Sequence, residues 1–298
     1  LDGILEWCSS LVGPCQIVSG DQRPDARSST TRLRTRSGDC YLKLHQDRAC
    51  WEREVHGYER WAPAFGAYAP PLLGVHEEEP LALLLGELPG TILETVQLPA
   101  DRERAAWRTA GRMLTGLHGY TEGAFFGPCR RDGLPTGVPV RHAVEYVESE
   151  LEREIGVALC AGYLDDEELA VLRAAQRLAP AFAGERPVPC HRDYCPYNWL
   201  VNEEGDWAGI IDFEFAHWDV RVAEFSRYPD WEWIHKPDLV EALLEGYGRS
   251  LTPREEEQCL VARVQYALSA ITWGMEASYL GFVAEGRQAL RHLAELLV

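Results

Sequence analysis

A chain of 298 residues with 46% hydrophobic content is long enough for a large core and too apolar to stay disordered. Its formal net charge of −18 repels phosphate backbones, so nucleic acid is not an expected partner; it attracts cationic small molecules, unless the acidity serves solubility alone. No apolar run reaches the roughly 18 residues of a membrane span, and "LDGILEWCSSLVG" lacks the basic region of a signal peptide, so a cytoplasmic, non-membrane protein of open oligomeric state is expected.

Residues 1–12 read as a short helix. "CQIVSG" follows as a strand, "DQRPDARSS" as a polar loop, and "TTRLRTRSGDCYLKLH" as two strands about the Ser37-Gly38-Asp39 turn. In "DCYLKLHQD", Tyr41, Lys43 and His45 share one face and Leu42 and Leu44 the other. On strand pattern alone, Lys43 is a solvent-facing edge residue. Residues 47–61, "DRACWEREVHGYERW", read as a helix with an apolar stripe of Trp51, Val55 and Tyr58. Glu54 lies on the inward edge of that stripe, where a carboxylate requires a cation. Strand-like segments recur at Leu72–His76 and "LALLLGEL", ending at Pro89-Gly90. Beyond Leu98 the pattern is mostly helical: "DRERAAWRTAGRMLTGLHGY", "VPVRHAVEYVESELEREI", "DDEELAVLRAAQRLAPAFA", then "KPDLVEALLEGYGRS" and "TPREEEQCLVARVQYALSAITWGMEASYLG". The expected class is α+β, with a small antiparallel β-rich lobe over residues 1–88 and a larger helical lobe over 89–298. Two lobes imply a cleft, and clefts bind ligands.

Nine scattered cysteines, several in apolar runs (Cys8, Cys15, Cys160, Cys259), read as buried thiols and not as a disulfide framework. "CHRDYC" lacks the second ligand half of a structural zinc site.

The chemistry concentrates in "CHRDYCPYNWLVNEEGDWAGIIDFEF", residues 190–215. "NWLVN" and "WAGIIDF" read as a hairpin about "EEGD". Centred near Gly205, antiparallel pairing sets Asn198 opposite Asp212, about 4.5–5.5 Å apart and close enough to share one ion. An amide oxygen and a carboxylate are hard ligands that suit Mg²⁺, whose shell phosphate oxygens and water complete. Asp193, in the loop before the first strand, can face a substrate hydroxyl beside that ion. His191 is expected to brace the loop.

Here the sequence resembles a known family. H-x-D-x-x-x-x-N followed by aliphatic-Asp-Phe is similar to the catalytic loop and metal motif of the kinase-like fold, in its aminoglycoside phosphotransferase and choline kinase branch. The resemblance implies Asp193 as catalytic base, Asn198 and Asp212 as Mg²⁺ ligands, and Lys43 paired with Glu54 to hold nucleotide phosphates. It implies a phosphate-covering loop near Gly20–Ser29, with Ser28 and Ser29 as phosphate donors, and an interlobe linker where Glu87 and Leu88 meet adenine through backbone groups. Asp219 and Glu224 are implied as structural or substrate-lining acids, and His118 as packing. Arg192 and Glu214 depart from the patterns: Arg192 replaces the branch's usual glycine, and Glu214 stands where protein kinases carry the glycine of D-F-G. No G-x-G-x-x-G precedes them.

The expected activity is therefore Mg²⁺- and ATP-dependent phosphorylation of a small hydroxylated acceptor, with GTP possible as the donor. An aminoglycoside-type antibiotic fits best; choline or an amino sugar is an alternative. A pseudokinase without turnover and a metal-dependent hydrolase are the rival classes. On the acceptor side, Asp230, Glu232 and Glu276 can pair with ammonium groups, and Trp231, Trp233 and Trp273 can stack on sugars; all equally read as core aromatics and solvated acids.

Overall fold

The computed structural model describes residues 2–21, 28–226 and 236–297. Helix α1 (Asp2–Val12) leads into a five-stranded antiparallel sheet of β1 (Gln16–Asp21), β2 (Ser28–Thr35), β3 (Gly38–His45), β4 (Leu72–His76) and β5 (Leu81–Gly86), in the order β1-β2-β3-β5-β4. Helix α2 (Arg48–His56) lies between β3 and β4, capped by Asp47, whose carboxylate accepts the Cys50 N–H. Strand alternation divides the sheet into two faces. Leu42, Ala82 and Leu84 pack with Ile4 and Cys8 of α1, whereas Leu81, Leu83 and Leu85 join Trp51 and Val55 of α2 in the main core. Lys43 pairs with Leu83 across the sheet, so the same alternation turns it toward α2.

The helix expected over 47–61 is shorter. α2 ends at His56, and Gly57–Trp61 form a π turn. A Cβ on Gly57 would lie 3.0 Å from the Phe213 Cβ, so glycine lets this turn press against the segment that carries Asp212.

The rest is mostly helical: α3 (Ala100–His118), α4 (Ala143–Cys160), α5 (Asp166–Gln176), α6 (Pro237–Tyr247), α7 (Pro253–Glu276) and α8 (Leu280–Leu297). α4, α5, α7 and α8 share a second core about Ile155, Leu172, Leu268 and Leu290. The single helix expected across 252–281 is two. The chain reverses at Ser278, with φ 56°, and the Tyr279 N–H returns to the Gly274 carbonyl at 2.8 Å.

Short strands line the region between α5 and α6: β7 (Val188–Cys190), β8 (Trp199–Val201), β9 (Trp207–Ile210) and β10 (His217–Asp219). β8 pairs with β9 and with β6 (Thr91–Ile92), and β7 pairs with β10. All nine cysteines are free thiols; Cys8 and Cys259 are buried as expected, but Cys160 is exposed and Cys15 half-buried. Cys160 ends α4 on the side away from Ile155 and Ala158, which is why its apolar run misleads. Among the described residues, no helix is long and apolar enough to cross a membrane.

Candidate active site

Lys43 is interior, not an edge-strand lysine, because α2 covers its face of the sheet. Its Nζ lies 3.0 Å from Glu54 Oε1, 2.8 Å from Asp212 Oδ1 and 3.1 Å from Glu214 Oε2. The second oxygen of Glu54 is 2.8 Å from His45 Nε2. Burial alone would lower the Lys43 pKa; Asp212, Glu54 and Glu214 outweigh it and hold the ammonium well above its ordinary value. Burial likewise acts to raise Asp212, but Lys43 keeps this carboxylate below the usual range. Side-chain exposure rises from 0% at Glu54 through 7% at Lys43 and 16% at Glu214 to 35% at Asp212. The charged cluster therefore opens outward at Asp212.

The hairpin forms, but its register differs from the expectation by one residue. Trp199 pairs with Ile210 and Leu200 with Gly209, and a bulge then sets Val201 opposite Trp207. The Ile211 N–H donates to the Asn198 carbonyl at 3.0 Å, so Asn198 faces Ile211 and not Asp212. Counting from Gly205 assumed extended backbone through Asp212. Instead Asp212 is left-handed, with φ 69°, and this turn aims its carboxylate at Lys43.

Asn198 reaches the acid of the preceding loop. Its Nδ2 donates to the Asp193 carbonyl at 2.9 Å and to Asp193 Oδ2 at 2.7 Å. His191 is buried, as a brace should be. In the tautomer its contacts select, Nε2–H donates to the Ile211 carbonyl at 3.1 Å and Nδ1 accepts the Asp193 N–H at 3.3 Å. Burial lowers the His191 pKa and keeps the ring neutral. Arg192, with φ 68°, turns the chain between them. Its guanidinium lies 2.9 Å from Asp219 and its N–H donates to Glu224 at 2.7 Å. Both acids are buried behind the loop, where they hold Arg192.

Other expected residues divide. β2 begins at Ser28, so Ser28 and Ser29 are strand residues and not loop residues. Ser28 pairs with His45 and donates to Glu214 at 2.8 Å, beside Lys43. Ser29 pairs with Leu44 on the opposite face, away from that cluster, because strand side chains alternate. Glu87 is exposed; its carboxylate meets Arg32 at 3.1 Å and its N–H donates to the Asp39 carbonyl at 3.3 Å. Half-buried Leu88 overlies Gly209, where φ is 152° and a Cβ would lie 2.5 Å from Leu88 Cδ2. Trp273 and Glu276 sit exposed at the end of α7, with Trp273 edge-on to Tyr279 and Phe282 at 6.1 and 5.4 Å. Asp230, Trp231, Glu232 and Trp233 lie outside the described residues.

Sequence reasoning did not assign a role to Glu214, His45 or Tyr197. Glu214 and His45 complete the Lys43–Glu54 cluster. Their one available signal was spacing: His45 shares a strand face with Lys43, and Glu214 follows Asp212 by two. Tyr197 is 58% exposed within the Asp193–Asn198 loop, an apolar ring where only packing would be expected.

A family model described as "Phosphotransferase enzyme family" (APH) matches residues 22–258. No curated protein matches. Among solved structures, a thermostable mutant of aminoglycoside phosphotransferase APH(4)-Ia, in ternary complex with ADP and hygromycin B, aligns over 98% of each chain with TM-score 0.74 and 14% identity. ADP-bound APH(2'')-Ib aligns over 100% of each chain at 0.66 and 16%. A GDP and kanamycin complex of APH(2")-IIIa aligns over 99% of each chain at 0.71 and 13%. At these identities the likeness establishes a shared fold: an antiparallel β-sheet N-terminal region and a helical C-terminal region in kinase-like arrangement.

Proposed function

The chain belongs to the APH phosphotransferase enzyme family, and from that premise we propose that it transfers the γ-phosphoryl group of ATP, or of GTP, to a hydroxyl of a cationic small molecule of the aminoglycoside type. The observation that carries this reading is the junction at Lys43. A strand lysine, a helix glutamate and the acid after the hairpin meet within 3.0 Å, and the hairpin's asparagine pins Asp193 nearby. The division into an N-terminal lobe over 1–88 and a C-terminal lobe over 89–298 belongs to the same reading; it is supported by the end of the five-stranded sheet at Gly86.

Lys43 presents its ammonium to the nucleotide phosphates, and Glu54 stops it from swinging outward. Ser28, whose hydroxyl donates to Glu214, would have to turn from it to donate to the same phosphates. Asp193 orients the acceptor hydroxyl and takes its proton; Asn198 holds its Oδ2, and the Cys195 thiol makes a long contact of 3.7 Å to its Oδ1. The donor set fits Mg²⁺. Asp212 and Glu214 offer hard carboxylate oxygens at the open end of the cluster, and the Asn198 Nδ2 is committed to Asp193, which leaves the amide oxygen as a ligand. Asp212 and Asn198 would hold the ion, with Glu214 beside them; when bound, it neutralises charge on the phosphate chain. Nucleotide and aminoglycoside complexes of the solved relatives, and the net charge of −18, support the choice of donor and acceptor.

The test is nucleotide consumption across aminoglycosides, choline and amino sugars, by the natural chain and by Asp193→Ala. The natural chain should turn over with at least one aminoglycoside. The variant should lose two to four orders of magnitude in turnover and still be stabilised by nucleotide with Mg²⁺. Nucleotide binding without turnover on any acceptor would identify a pseudokinase, and near-normal turnover by the variant would remove Asp193 as base.

A further inference from the structure

Three buried groups that phosphoryl transfer does not use converge behind the catalytic loop. His118 closes α3, Cys190 closes β7, and Glu224 lies in the 3-10 turn Arg221–Phe225. They are 7%, 0% and 1% exposed. One ligand atom from each lies within 4.8 Å of the other two, and His118 Nε2 is 3.9 Å from Cys190 Sγ. The His118 ring is oriented from behind, since its Nδ1 bonds the Tyr247 hydroxyl at 2.8 Å. The Cys190 thiol makes a long contact, 3.6 Å, to the Val220 carbonyl. Glu224 gives one oxygen to the Arg192 N–H at 2.7 Å, but its Oε2 is buried with no hydrogen-bond partner among the described residues. A packed thiol–imidazole contact explains two of these groups; the Glu224 carboxyl also meets the Cys190 thiol, and its burial at a desolvation cost raises its pKa to about 8.

We propose that His118, Cys190 and Glu224 bind a thiophilic divalent cation of the zinc class, at a site distinct from the hard-cation ligands Asp212 and Asn198. The set of one imidazole, one thiolate and one carboxylate suits zinc and not Mg²⁺. Tetrahedral bonds of about 2.0–2.1 Å to nitrogen and about 2.3 Å to sulfur set those atoms roughly 3.5 Å apart. The observed 3.9 Å needs only a small contraction. The Tyr247 hydroxyl is the outer partner that a ligating histidine requires. A surface cavity of about 470 Å³ lined by Gly119, Glu122, Glu185, Val188 and Arg221 touches His118, one of the three groups. Arg221 opposes a cation there; the thiolate and carboxylate supply two negative charges against it. On binding, the Cys190 thiol proton passes to water, and so does the Glu224 proton, since burial raises that carboxyl's pKa to about 8. "CHRDYC" lacked a second ligand half in sequence, and the fold supplies one from α3 and the 3-10 turn. Because Glu224 also holds the Arg192 N–H, the ion ties α3 to the turn that sets Asp193.

Crystals of the full chain soaked in zinc and measured on both sides of the zinc absorption edge should give an anomalous peak between the three side chains. In solution, cobalt(II) should give a thiolate-to-metal charge-transfer band that zinc bleaches, that Cys190→Ser abolishes, and whose midpoint Glu224→Gln weakens at least about tenfold. Absence of the anomalous peak overturns the proposal, independently of whether any variant folds. So does a cobalt band that survives in folded Cys190→Ser, or an unchanged midpoint in Glu224→Gln.

Discussion

Asn198 holds Asp193 with one nitrogen, at 2.7 Å from the carboxylate and 2.9 Å from the carbonyl. That double hold fixes the rotamer of an acid whose loop already carries a left-handed Arg192. Asn198→Ala releases the carboxylate and removes the amide oxygen proposed for Mg²⁺, so turnover should fall about a hundredfold or more while acceptor affinity by calorimetry stays within a few-fold, because neither loss touches acceptor binding. An equal loss in affinity would mean that Asn198 serves acceptor binding. At this scale, residue types and spacing made Asp193, Asn198, Asp212, Lys43 and Glu54 legible. The Lys43–Glu54 pair was legible too, but the contacts of Asp212 with Lys43 and of Asn198 with Asp193 were not, because a left-handed Asp212 and a bulge at Leu200 redirect side chains without altering the motif.

Among elements, α3 and α6 approach each other at their backbones. A Cβ on Gly246 would lie 1.8 Å from the Arg108 carbonyl, and one on Gly111 would lie 1.9 Å from the Leu243 carbonyl. Gly246→Ala must push two helix backbones apart, and should lower stability in denaturant unfolding by about 1–3 kcal/mol or more. The start of α7 is held differently. Arg249 grips Glu255 with bonds of 2.5 and 2.7 Å, and Thr252 completes the capping box. The Arg249 hydrogen bond is the chief cause that lowers the Glu255 pKa from 4.5 to about 2. The folded value is depressed, so this contribution is present above the unfolded pKa and disappears as pH falls toward the folded one. Glu255→Gln should therefore be less stable than the natural chain by about 1–3 kcal/mol at pH 7. Urea unfolding should find that gap closing between pH 4.5 and about 2. Helix and strand positions in this chain were mostly readable from periodicity. The breaks after His56 and at Ser278 were not, since each answers to a contact made across the fold or to a single left-handed residue.

For the whole molecule, the net charge of −18 is a field property, and fields are screened by salt. If acidity captures a cationic acceptor, its KM should rise several-fold between about 0.05 and 0.5 M salt, while KM for an uncharged hydroxylated acceptor stays level. Equal responses would assign the acidity to solubility. Composition, the 2- and 3.6-residue periods and one motif sufficed for the class and for most strands and helices along the chain, and they singled out residues 190–215 as the candidate site, because each depends on neighbours along the chain. Contacts between distant segments were beyond such reading. The burial of Lys43 under α2, the arrival of Glu214 and His45 at its cluster, the face taken by Ser29 and the meeting of His118 with Cys190 and Glu224 all follow from how the sheet, π turn and helices pack. Packing is a property of surfaces brought together, and strand or helix periods constrain which face a residue takes but not what meets it there.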